Sequence, residues 1–475
     1  MKVCVLQPDY STSAVDYQYY DPPRNLSSLL PGAEVDHVFI NKLTTYKQLK
    51  ALQHKGYDIF VNLCEGYLEW EVPSIDVIYT LELLQMPFTG PSTLLYDPPK
   101  ERMKYVAFCE GVLTPAYVLI EKEEDLVTAC TQLRFPLFIK PAKAGDSLGI
   151  DEYSLVHTKE ELAEKVRVIQ NEYEQLLAEE YIAGREFTVL IAANADGKTA
   201  TTFKPVEFIF PEGFAFKTYS LKTSELHPDA NIPCTDPVIE QQLRDAAQRI
   251  FKGFNGSGYA RLDFRLNEKG ELYFLEINFT CSVFYSDGYE GSADYIVKYD
   301  GIGQGAFLSH MIAEGIARHQ RIQKKYIIKG NAIAGYGIYA TRYIKAKDLI
   351  FNGEGLSQRL ITRRYVENNW NDTEKEIFRR YAYPVSNEVF LLWDNDPSAW
   401  APQNHSCQPN TAYDGLNVIA ICAITPGQEL TLDYSSFLDE RMEPFQCRCG
   451  TANCRGLVTG VPGNSVTARE IKPRP

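Results

Sequence analysis

Three cysteines near the C-terminal end follow the spacing CxCxxxxC: Cys447, Cys449 and Cys454. Zinc in a structural site takes four thiolate or imidazole ligands in a tetrahedron, with zinc–sulfur distances of about 2.3 Å. Three ligands this close together need a fourth from elsewhere, and the run NHSCQPN at 404–410 offers Cys407. A disulfide or unrelated core thiols are the alternative interpretation. The spacing favours a zinc site.

The motifs around these cysteines resemble those of the SET-domain methyltransferases. The run GYGIYA at 335–340 is similar to that family's first cofactor motif, Asn404 and His405 match its NH pair, and GQELTLDY at 427–434 matches its GEELTxDY. A lone GxG marks any tight turn, whereas four ordered motifs with a completing metal set are specific. The resemblance covers residues 326 to 456 and implies a mostly β SET domain with a zinc-bound post-SET segment.

The resemblance also implies a role for each motif residue. S-adenosylmethionine would be bound by Gly335, Tyr336, Gly337, Asn404, His405 and Tyr434, and Zn²⁺ by Cys407, Cys447, Cys449 and Cys454. Glu429 stands on the matching acid of the last motif, and Tyr434 stands on the family's catalytic tyrosine. One departure is that 400–403, Trp-Ala-Pro-Gln, lacks the arginine that often precedes the NH pair.

Methyl transfer to an amine requires a neutral amine held in line with the sulfonium carbon, in a channel that excludes water. Tyr434 would supply a hydroxyl and an aromatic face beside the cationic methyl donor. Taken alone, Tyr434 would be interpreted as a half-buried strand tyrosine, and only its place in the motif favours catalysis. The zinc is then structural, with no open position for water.

The rest of the chain has the composition of an ordinary folded protein. Its 475 residues allow about three domains, and hydrophobic and charged residues make up 45% and 23%. No stretch approaches the ~20 apolar residues that span a membrane, and MKVCVLQPDY has no cleavable signal region. Eleven cysteines, four of them in a metal pattern, fit a reducing compartment. We therefore expect an intracellular protein, cytoplasmic or nuclear, with no membrane partner.

The negative charge is confined to the first two-thirds of the chain. Residues 326 to 475 carry 16 Lys+Arg and 16 Asp+Glu, so the whole net charge of −14 belongs to the first 325 residues. A nucleic-acid-binding protein gains much of its affinity from a basic face that contacts phosphates. The charge distribution therefore predicts no direct nucleic-acid partner.

In the N-terminal part, short apolar runs alternate with amphipathic ones, which predicts an α/β domain. From residue 56 to 280 the chain resembles the ATP-grasp ligases of the D-alanine:D-alanine ligase branch. The similar segments are PFTGPS at 87–92, KERMK at 100–104, FIKPAKAGDSLGI at 138–150, LAEEYIAGREFTV at 177–189 and RLDFRLNEKGELYFLEIN at 261–278. Pro99 replaces the aspartate that precedes the first lysine in that branch.

These segments imply ligands for ATP and Mg²⁺. ATP would be bound by Lys100, Lys140, Ser147, Glu180, Ile182, Glu186 and Lys217, and Mg²⁺ by Asp263, Glu276 and Asn278, with Arg261 acting on the acylphosphate. Formation of an acylphosphate from ATP concentrates negative charge, which magnesium and lysines neutralise. Glu276 and Asn278 are two positions apart on a predicted strand, so their side chains leave the same face. For any single position, an exposed charged residue is the alternative interpretation.

The amino-acid pocket departs from the D-alanine ligases. Ser147 matches a serine of that pocket, but Thr218 replaces its tyrosine and the N-terminal GxSxE segment is absent. CSVFYSDGYEG at 281–291 also replaces the usual SPGMTxxS. We therefore expect a carboxylate–amine ligase with a rebuilt pocket that does not use D-alanine.

The expected domain order follows from these two resemblances. It comprises 1–95, an α/β domain before the ATP-grasp core; 96–315, the ATP-grasp domain; 316–325, a linker that the basic cluster at 318–325 is expected to keep solvated; 326–436, the SET domain; and 437–475, the post-SET segment and tail. One hypothesis is a bifunctional enzyme acting on small-molecule or peptide carboxylates and amines and on a lysine or other amine. The alternative is an active SET protein-lysine methyltransferase whose ATP-grasp fold binds a substrate or partner. The full set of magnesium ligands favours the first.

Overall fold

The computed structural model describes residues 1–13, 21–66, 72–143, 149–213, 216, 230–332, 334–355, 359–392, 403–441 and 443–466. The chain divides into two compact units, Met1–Ile322 and Gln323–Pro475. None of the helices in these described ranges is both long and apolar enough to cross a membrane.

The first unit opens with a parallel sheet of order β2-β1-β3. Its strands are β1 (Lys2–Pro8), β2 (Glu34–Ile40) and β3 (Ile59–Asn62), and its helices are α1 (Thr45–Leu52) and α2 (Ile75–Leu83). Strand β3 is buried along its whole length, as is typical of a parallel strand covered on both faces. The carboxyl ends of β1 and β3 therefore meet at one edge of this sheet.

A second, antiparallel sheet has the order β4-β7-β5-β6. It contains β4 (Tyr117–Ile120), β5 (Leu137–Pro141), β6 (Leu155–Val156) and β7 (Leu176–Glu180). Helices α4 (Glu123–Gln132) and α5 (Lys159–Ile169) bury apolar side chains against it. The predicted ATP segments FIKP and LAEE are the paired strands β5 and β7 of this sheet.

The largest sheet is antiparallel, with the order β11-β10-β8-β12-β13 and β9 paired to β8. It contains β8 (Arg185–Ala193), β9 (Ala200–Thr202), β10 (Val206–Phe208), β11 (Asn231–Pro233), β12 (Tyr259–Leu266) and β13 (Leu272–Asn278). The remaining helices of this unit are α3 (Lys100–Cys109), α6 (Pro237–Gly253), α7 (Ser292–Asp300) and α8 (Gly303–Ile322).

Helix α6 shows how the sequence covers one face of the large sheet. The side chain of Asp236 accepts hydrogen bonds from the amides of Val238 and Ile239, and Pro237 occupies the first turn, so the helix begins here. Its buried residues recur at helical spacing: Leu243, Ala246, Ala247, Ile250 and Phe251. They pack with the apolar side chains of β8, β12 and α3. The opposite face of β8 and β12 carries Glu186 and Asp263 toward one end, and toward the other end it packs Leu190, Ala192 and Tyr259 into a second apolar core.

The expected linker at 316–325 differs from the structure. Residues up to Ile322 belong to α8, and the side chain of Arg318 is only 14% exposed, not solvated. It donates hydrogen bonds to the carbonyls of Phe88 and Gly90, each at 2.7 Å, and pairs with Glu314 at 3.5 Å. Charge clustering in the sequence suggested a solvated segment, but an arginine stem on a helix can be covered by its neighbours.

The second unit consists mainly of short strands, as expected for a SET domain. Its strands are β14 (Tyr326–Asn331), β15 (Gly335–Ala340), β16 (Leu349–Phe351), β17 (Arg359–Thr362), β18 (Tyr383–Pro384), β19 (Val389–Leu392), β20 (Asn404–His405), β21 (Thr411–Asp414), β22 (Asn417–Ala420), β23 (Thr431–Leu432), β24 (Phe445–Gln446) and β25 (Leu457–Val458). They form the sheets β14-β15, β16-β22-β21, β17-β19-β18, β20-β23 and β24-β25. Helices α9 (Arg363–Asn369) and α10 (Asp372–Tyr381) follow β17.

Candidate active sites and zinc centre

One face of the large sheet carries several of the residues predicted to bind ATP and magnesium. Because side chains alternate along a strand and paired residues share a face, Glu186 on β8 lies on the same face as Asp263 on β12. Phe187 and Phe264 point to the other face, into the apolar core under α3 and α6. The alternation visible in the sequence therefore separates a polar face from a packed one.

The predicted magnesium ligands meet on this face. Asp263 pairs directly with Glu276 across β12 and β13, and Arg261 pairs with Asn278. The Nη2 of Arg261 lies 3.1 Å from Oδ2 of Asp263, and Nζ of Lys100 lies 3.9 Å from Oε2 of Glu276. Carboxylate and amide oxygens are the ligands that Mg²⁺ takes beside phosphate oxygens, so this set fits a magnesium ion.

Lys140 and Lys104 share one buried carboxylate. The Oε1 of Glu179 lies 2.5 Å from Nζ of Lys140, and its Oε2 lies 2.8 Å from Nζ of Lys104. Burial alone would raise the pKa of Glu179, but the two ammonium groups lower it to about 2. Burial lowers the pKa values of Lys104 and Lys100. Glu179 therefore holds the Lys140 ammonium group in place, but its single negative charge is shared between two ammonium groups.

The predicted adenine and ribose residues have protein partners of their own. The carboxylate of Glu186 lies 3.0 Å from Nη2 of Arg265, whose Nη1 also donates to the carbonyl of Ile182 at 3.0 Å. The amide of Glu180 donates to the carbonyl of Ala116 at 2.9 Å, and its side chain pairs with exposed Arg134. The Glu180 amide is thus part of the sheet.

Two predicted residues, Ser147 and Lys217, lie outside the described residues. The same holds for residues 144–148 of the segment FIKPAKAGDSLGI and for Thr218.

Arg24 is a buried arginine that no sequence motif predicted, and it lies near the polar face of the large sheet. Arg24, 2% exposed, donates to the carbonyls of Val283 at 3.0 Å and Leu63 at 3.2 Å. It also pairs with Asp21 at 3.1 Å and lies 3.9 Å from Glu65. No local pattern marks this arginine, because its two carbonyl partners are 259 and 39 positions away.

The aromatic ring of Tyr285 completes the Arg24 cluster. Cys281 lies close enough to this cluster and to Arg261 for both to influence its thiol. The ring of Tyr285 lies 4.7 Å from the Arg24 guanidinium, and its hydroxyl donates to Asp21 at 2.7 Å. Burial raises the pKa of Cys281 to about 12, with Arg261 opposing and Glu65 reinforcing that shift. The charge of Glu65, in the Arg24 cluster, and the charge of Arg261, on β12, therefore both act on the Cys281 thiol.

In the second unit, one carboxylate joins the cofactor motifs. The Nδ2 of Asn404 donates to the carbonyl of Tyr336 at 2.7 Å and to Oε1 of Glu429 at 2.8 Å. An ideal Cβ at Gly337 would overlap Oε1 of Glu429, so a side chain here would displace that carboxylate from its present position. Gly335 has a φ of +83°, which favours glycine as well. The backbone at Gly335 and Gly337 and the half-exposed side-chain amide of Asn404 form a cradle that fits S-adenosylmethionine.

The NH pair lies against the predicted catalytic tyrosine. The amide of Tyr434 donates to Nδ1 of His405 at 3.1 Å, and the Tyr434 hydroxyl donates to the carbonyl of Gln403 at 2.7 Å. Burial lowers the pKa of His405, although Asp433 opposes this shift. His405 is therefore neutral at neutral pH and can accept that hydrogen bond.

The four predicted zinc ligands come together. The sulfur atoms of Cys407, Cys447, Cys449 and Cys454 all lie within 4.8 Å of one another, and those of Cys407 and Cys447 are 3.8 Å apart. Tetrahedral zinc with bonds of about 2.3 Å would separate its sulfur ligands by about 3.8 Å. The donor set and its spacing fit one Zn²⁺ ion.

Two family models match this chain: the D-ala D-ala ligase C-terminus over residues 109–284 and the SET domain over residues 335–435. The D-alanine–D-alanine ligase B of Pseudomonas syringae pv. tomato is 34% identical over 203 residues, which are 42% of this chain and 60% of that protein. That of Chromobacterium violaceum is 29% identical over 239 residues, 49% of this chain and 73% of that protein. The chain thus spans about 60% of the length of the first of these relatives.

Solved structures with a similar fold come from the same group. The D-alanine–D-alanine ligase of Bacillus anthracis complexed with ATP superposes with a TM-score of 0.50 at 20% identity, covering 68% of this chain and 100% of that one. The VanG D-Ala:D-Ser ligase of Enterococcus faecalis gives a TM-score of 0.51 at 20% identity, covering 66% of this chain and 99% of that one. At this identity the likeness concerns the fold.

Proposed function

We propose that this chain, in which an ATP-grasp fold of the D-alanine–D-alanine ligase type is joined to a SET domain, is a bifunctional enzyme. One unit would use ATP to join a carboxylate to an amine, and the other would transfer a methyl group from S-adenosylmethionine to an amine. The two fold assignments confirm the sequence resemblances. The activities, the cofactors and the residues that serve them are proposals.

The pairing of Asp263 with Glu276 carries the ligase proposal. These carboxylates and Asn278 would hold Mg²⁺, which supplies charge neutralisation at the ATP phosphates. Lys100 and Lys140 would contact the same phosphates. The substrate carboxylate then attacks the γ-phosphorus, ADP leaves, and the amine displaces phosphate from the acylphosphate. Arg261 would stabilise the charge that develops at this group.

The adenosine part of ATP would lie at the other end of the polar face. Ile182 would offer its amide to adenine and Glu186 its carboxylate to the ribose hydroxyls, while Arg265 keeps both in place. Glu180 would contribute its carbonyl, because its amide is already paired with Ala116. A binding platform without turnover would not need the acidic set, so its presence favours an active ligase.

The Arg24 cluster indicates that the ligase uses an amino-acid substrate other than D-alanine. Arg24 with Asp21 and Glu65 places one positive and two negative groups near the carboxyl ends of β1 and β3. In D-alanine ligases the N-terminal GxSxE segment supplies an acid that orients the first alanine, and this chain has the charged, aromatic-lined cluster without that segment. We expect carboxylate and amine substrates of small-molecule or peptide size.

Methyl transfer rests on the contact between Tyr434 and the backbone of Gln403. The carbonyl fixes the tyrosine hydroxyl, so its oxygen lone pairs can face the reacting methyl group and the incoming amine. Gly335, Tyr336, Gly337, Asn404 and His405 would hold S-adenosylmethionine, which supplies the methyl group. The zinc ion would order the post-SET segment as a wall that excludes water. The acceptor would be a lysine or another amine.

One experiment tests both activities with the same preparation. Phosphate release from ATP is measured across a panel of amino acids and dipeptides, and methyl transfer from labelled S-adenosylmethionine is measured with peptides and free amines. We expect ATP turnover only with particular substrates. If no panel member stimulates phosphate release while methyl transfer proceeds, the platform hypothesis replaces the ligase proposal. If ATP turnover proceeds and no labelled product forms, the methyltransferase proposal fails.

A further inference from the structure

Glu429 connects three segments of the second unit that are far apart in the chain. Each of its carboxylate oxygens lies 3.0 Å from Nδ2 of Asn331, and Oε1 also accepts from Nδ2 of Asn404 at 2.8 Å. The backbone of Gly337 passes so close that a side chain there would overlap the same oxygen. The carboxylate therefore lies where the end of β14, strand β15 and the NH pair meet.

This arrangement determines which way the Asn404 amide points. Both acceptors that Nδ2 reaches, the carbonyl of Tyr336 and the carboxylate of Glu429, require a donor. A flipped amide would set Oδ1 against two oxygens, which is repulsive. Since the NH₂ group is committed to these acceptors, Oδ1 faces away from Glu429 as an acceptor on a half-exposed residue.

We propose that Glu429, steadied by Asn331, is a positioning residue that holds Asn404 Oδ1 toward the methionyl ammonium of the methyl donor. This inference rests on the proposed methyltransferase function. An acceptor oxygen complements an ammonium group, and it would repel the carboxylate at the same end of S-adenosylmethionine. The negative charge of Glu429 behind the amide strengthens this preference, because it polarises the amide toward the cation.

The proposal predicts a selective loss of affinity in Glu429→Gln. The introduced amide NH₂ group would face Nδ2 of Asn331, two donors with no acceptor between them, so the amide chain loses its fixed orientation. Calorimetry should give an affinity for S-adenosylhomocysteine that is about tenfold to hundredfold lower, the range for a lost hydrogen bond to a charged group. Binding of 5′-methylthioadenosine, which lacks the methionyl ammonium and carboxylate, should not change.

A second variant separates orientation from packing. When Asn331→Asp is combined with Glu429→Gln, the introduced aspartate accepts from the glutamine NH₂ group and the glutamine oxygen again accepts from Asn404. We expect the double variant to recover most of the lost affinity for S-adenosylhomocysteine. The matched control is Glu367→Gln on the exposed face of α9, which should bind both compounds as the parent does.

Two results would overturn the inference. If Glu429→Gln weakens both compounds equally, or if the double variant stays as weak as the single one, Glu429 only packs against Gly337. If the parent protein binds neither compound, the failure lies in the proposed methyltransferase function itself. Zinc content and circular dichroism of each variant show whether the unit is folded.

Discussion

The two units handle charge in opposite ways. The two antiparallel sheets of the first unit hold buried or half-buried ions in fixed pairs, such as Glu179 with Lys140 at 2.5 Å and Asp263 with Arg261 at 3.1 Å. The cofactor region of the second unit relies on amides, backbone carbonyls and aromatic rings, with the carboxylate of Glu429 beside Asn404 and that of Asp433 beside His405. Both regions are preorganised, but by different means.

The difference follows from the two proposed reactions. Phosphoryl transfer from ATP concentrates negative charge, so the site must supply cations that cannot relax away from it. Methyl transfer to a neutral amine moves a positive charge from sulfur to nitrogen, so the site must orient and desolvate instead. A site built mainly on ion pairs and a site built mainly on hydrogen bonds from amides should therefore respond differently to substitution.

The largest expected difference concerns metal dependence. Cys449→Ser removes one of four zinc ligands, and structural zinc sites contribute on the order of 10 kcal/mol to folding. We expect zinc content to fall from about one per chain to nearly none. Methyl transfer should be lost with it, while ATP-dependent phosphate release stays at the parent level. Metal analysis of chelator-treated protein and both assays provide the measurement.

The control is Cys422→Ser, an exposed cysteine of the same unit outside the cluster. It should keep both zinc and activity. Full methyl transfer by a zinc-free Cys449→Ser protein would mean that the metal does not order the channel wall.

The next effect concerns two of the predicted magnesium ligands in the first unit. Glu276→Gln combined with Asn278→Ala should reduce substrate-dependent phosphate release by about 10³ or more, since each preorganised group contributes on the order of 10². S-adenosylmethionine binding, measured by calorimetry, should be unchanged. Glu268→Gln, an exposed acid in the turn after β12, is the matched control. Persistent ATP turnover in the double variant would make the acidic set structural and support the platform hypothesis.

A buried ion pair can be compared with an exposed one at neighbouring positions. Glu179→Gln leaves two buried ammonium groups without their carboxylate, and losing one partner of a buried pair costs about 3–5 kcal/mol. Glu180→Gln affects a pair with Arg134, whose side chain is 87% exposed, and a hydrogen bond from the Arg134 amide that a glutamine oxygen can still accept, so it should cost less than about 1 kcal/mol. Urea unfolding followed by circular dichroism measures both. Equal losses would mean that burial does not decide the contribution.

The pH dependence of Glu179 has a defined sign. Its pKa falls from an ordinary 4.5 to about 2 in the folded protein, because the two ammonium groups outweigh burial. The stabilisation is therefore fully present above pH 4.5 and is lost as the pH falls toward about 2. The difference in unfolding free energy between the parent and Glu179→Gln should shrink over this interval. A constant difference would place the effect elsewhere than in ionisation.

The sequence predicted those parts of the sites that lie within motifs or on paired strands. Glu276 and Asn278 share a face because they are two positions apart, and the cysteine motifs predicted the four sulfur atoms that lie together in the second unit. The contacts that fix these groups were missed: those of Lys104 with Glu179, those of the Arg24 cluster, and that of Asn331 with the motif residue Glu429. Each of these contacts joins segments that are distant in the chain, so no local spacing reports it.

The predicted linker shows the same limit of local sequence patterns, because here the sequence predicted exposure where the structure has a buried side chain. A basic run at 318–325 predicted a solvated connection, yet Arg318 lies on α8 and is held by the carbonyls of Phe88 and Gly90. Composition reports what a segment can tolerate, whereas burial depends on what packs over it. Tertiary partners therefore decide the structure where local composition is ambiguous.

The last expected effect concerns the hydroxyl of Tyr434, which forms a hydrogen bond between neutral groups. Tyr434→Phe keeps the ring contacts with His405 and Phe437 and loses the hydroxyl that donates to the Gln403 carbonyl. We expect single-turnover methyl transfer to slow by about 10², with the affinity for S-adenosylmethionine unchanged, because the hydroxyl acts mainly in the transition state. Tyr343→Phe, at an exposed tyrosine of the same unit, is the control. His405→Ala should show the reverse order, with cofactor affinity falling first, because the amide of Tyr434 then loses its acceptor. If Tyr434→Phe transfers methyl groups as fast as the parent, Tyr434 is a packing residue and the contrast between the two units loses its catalytic half.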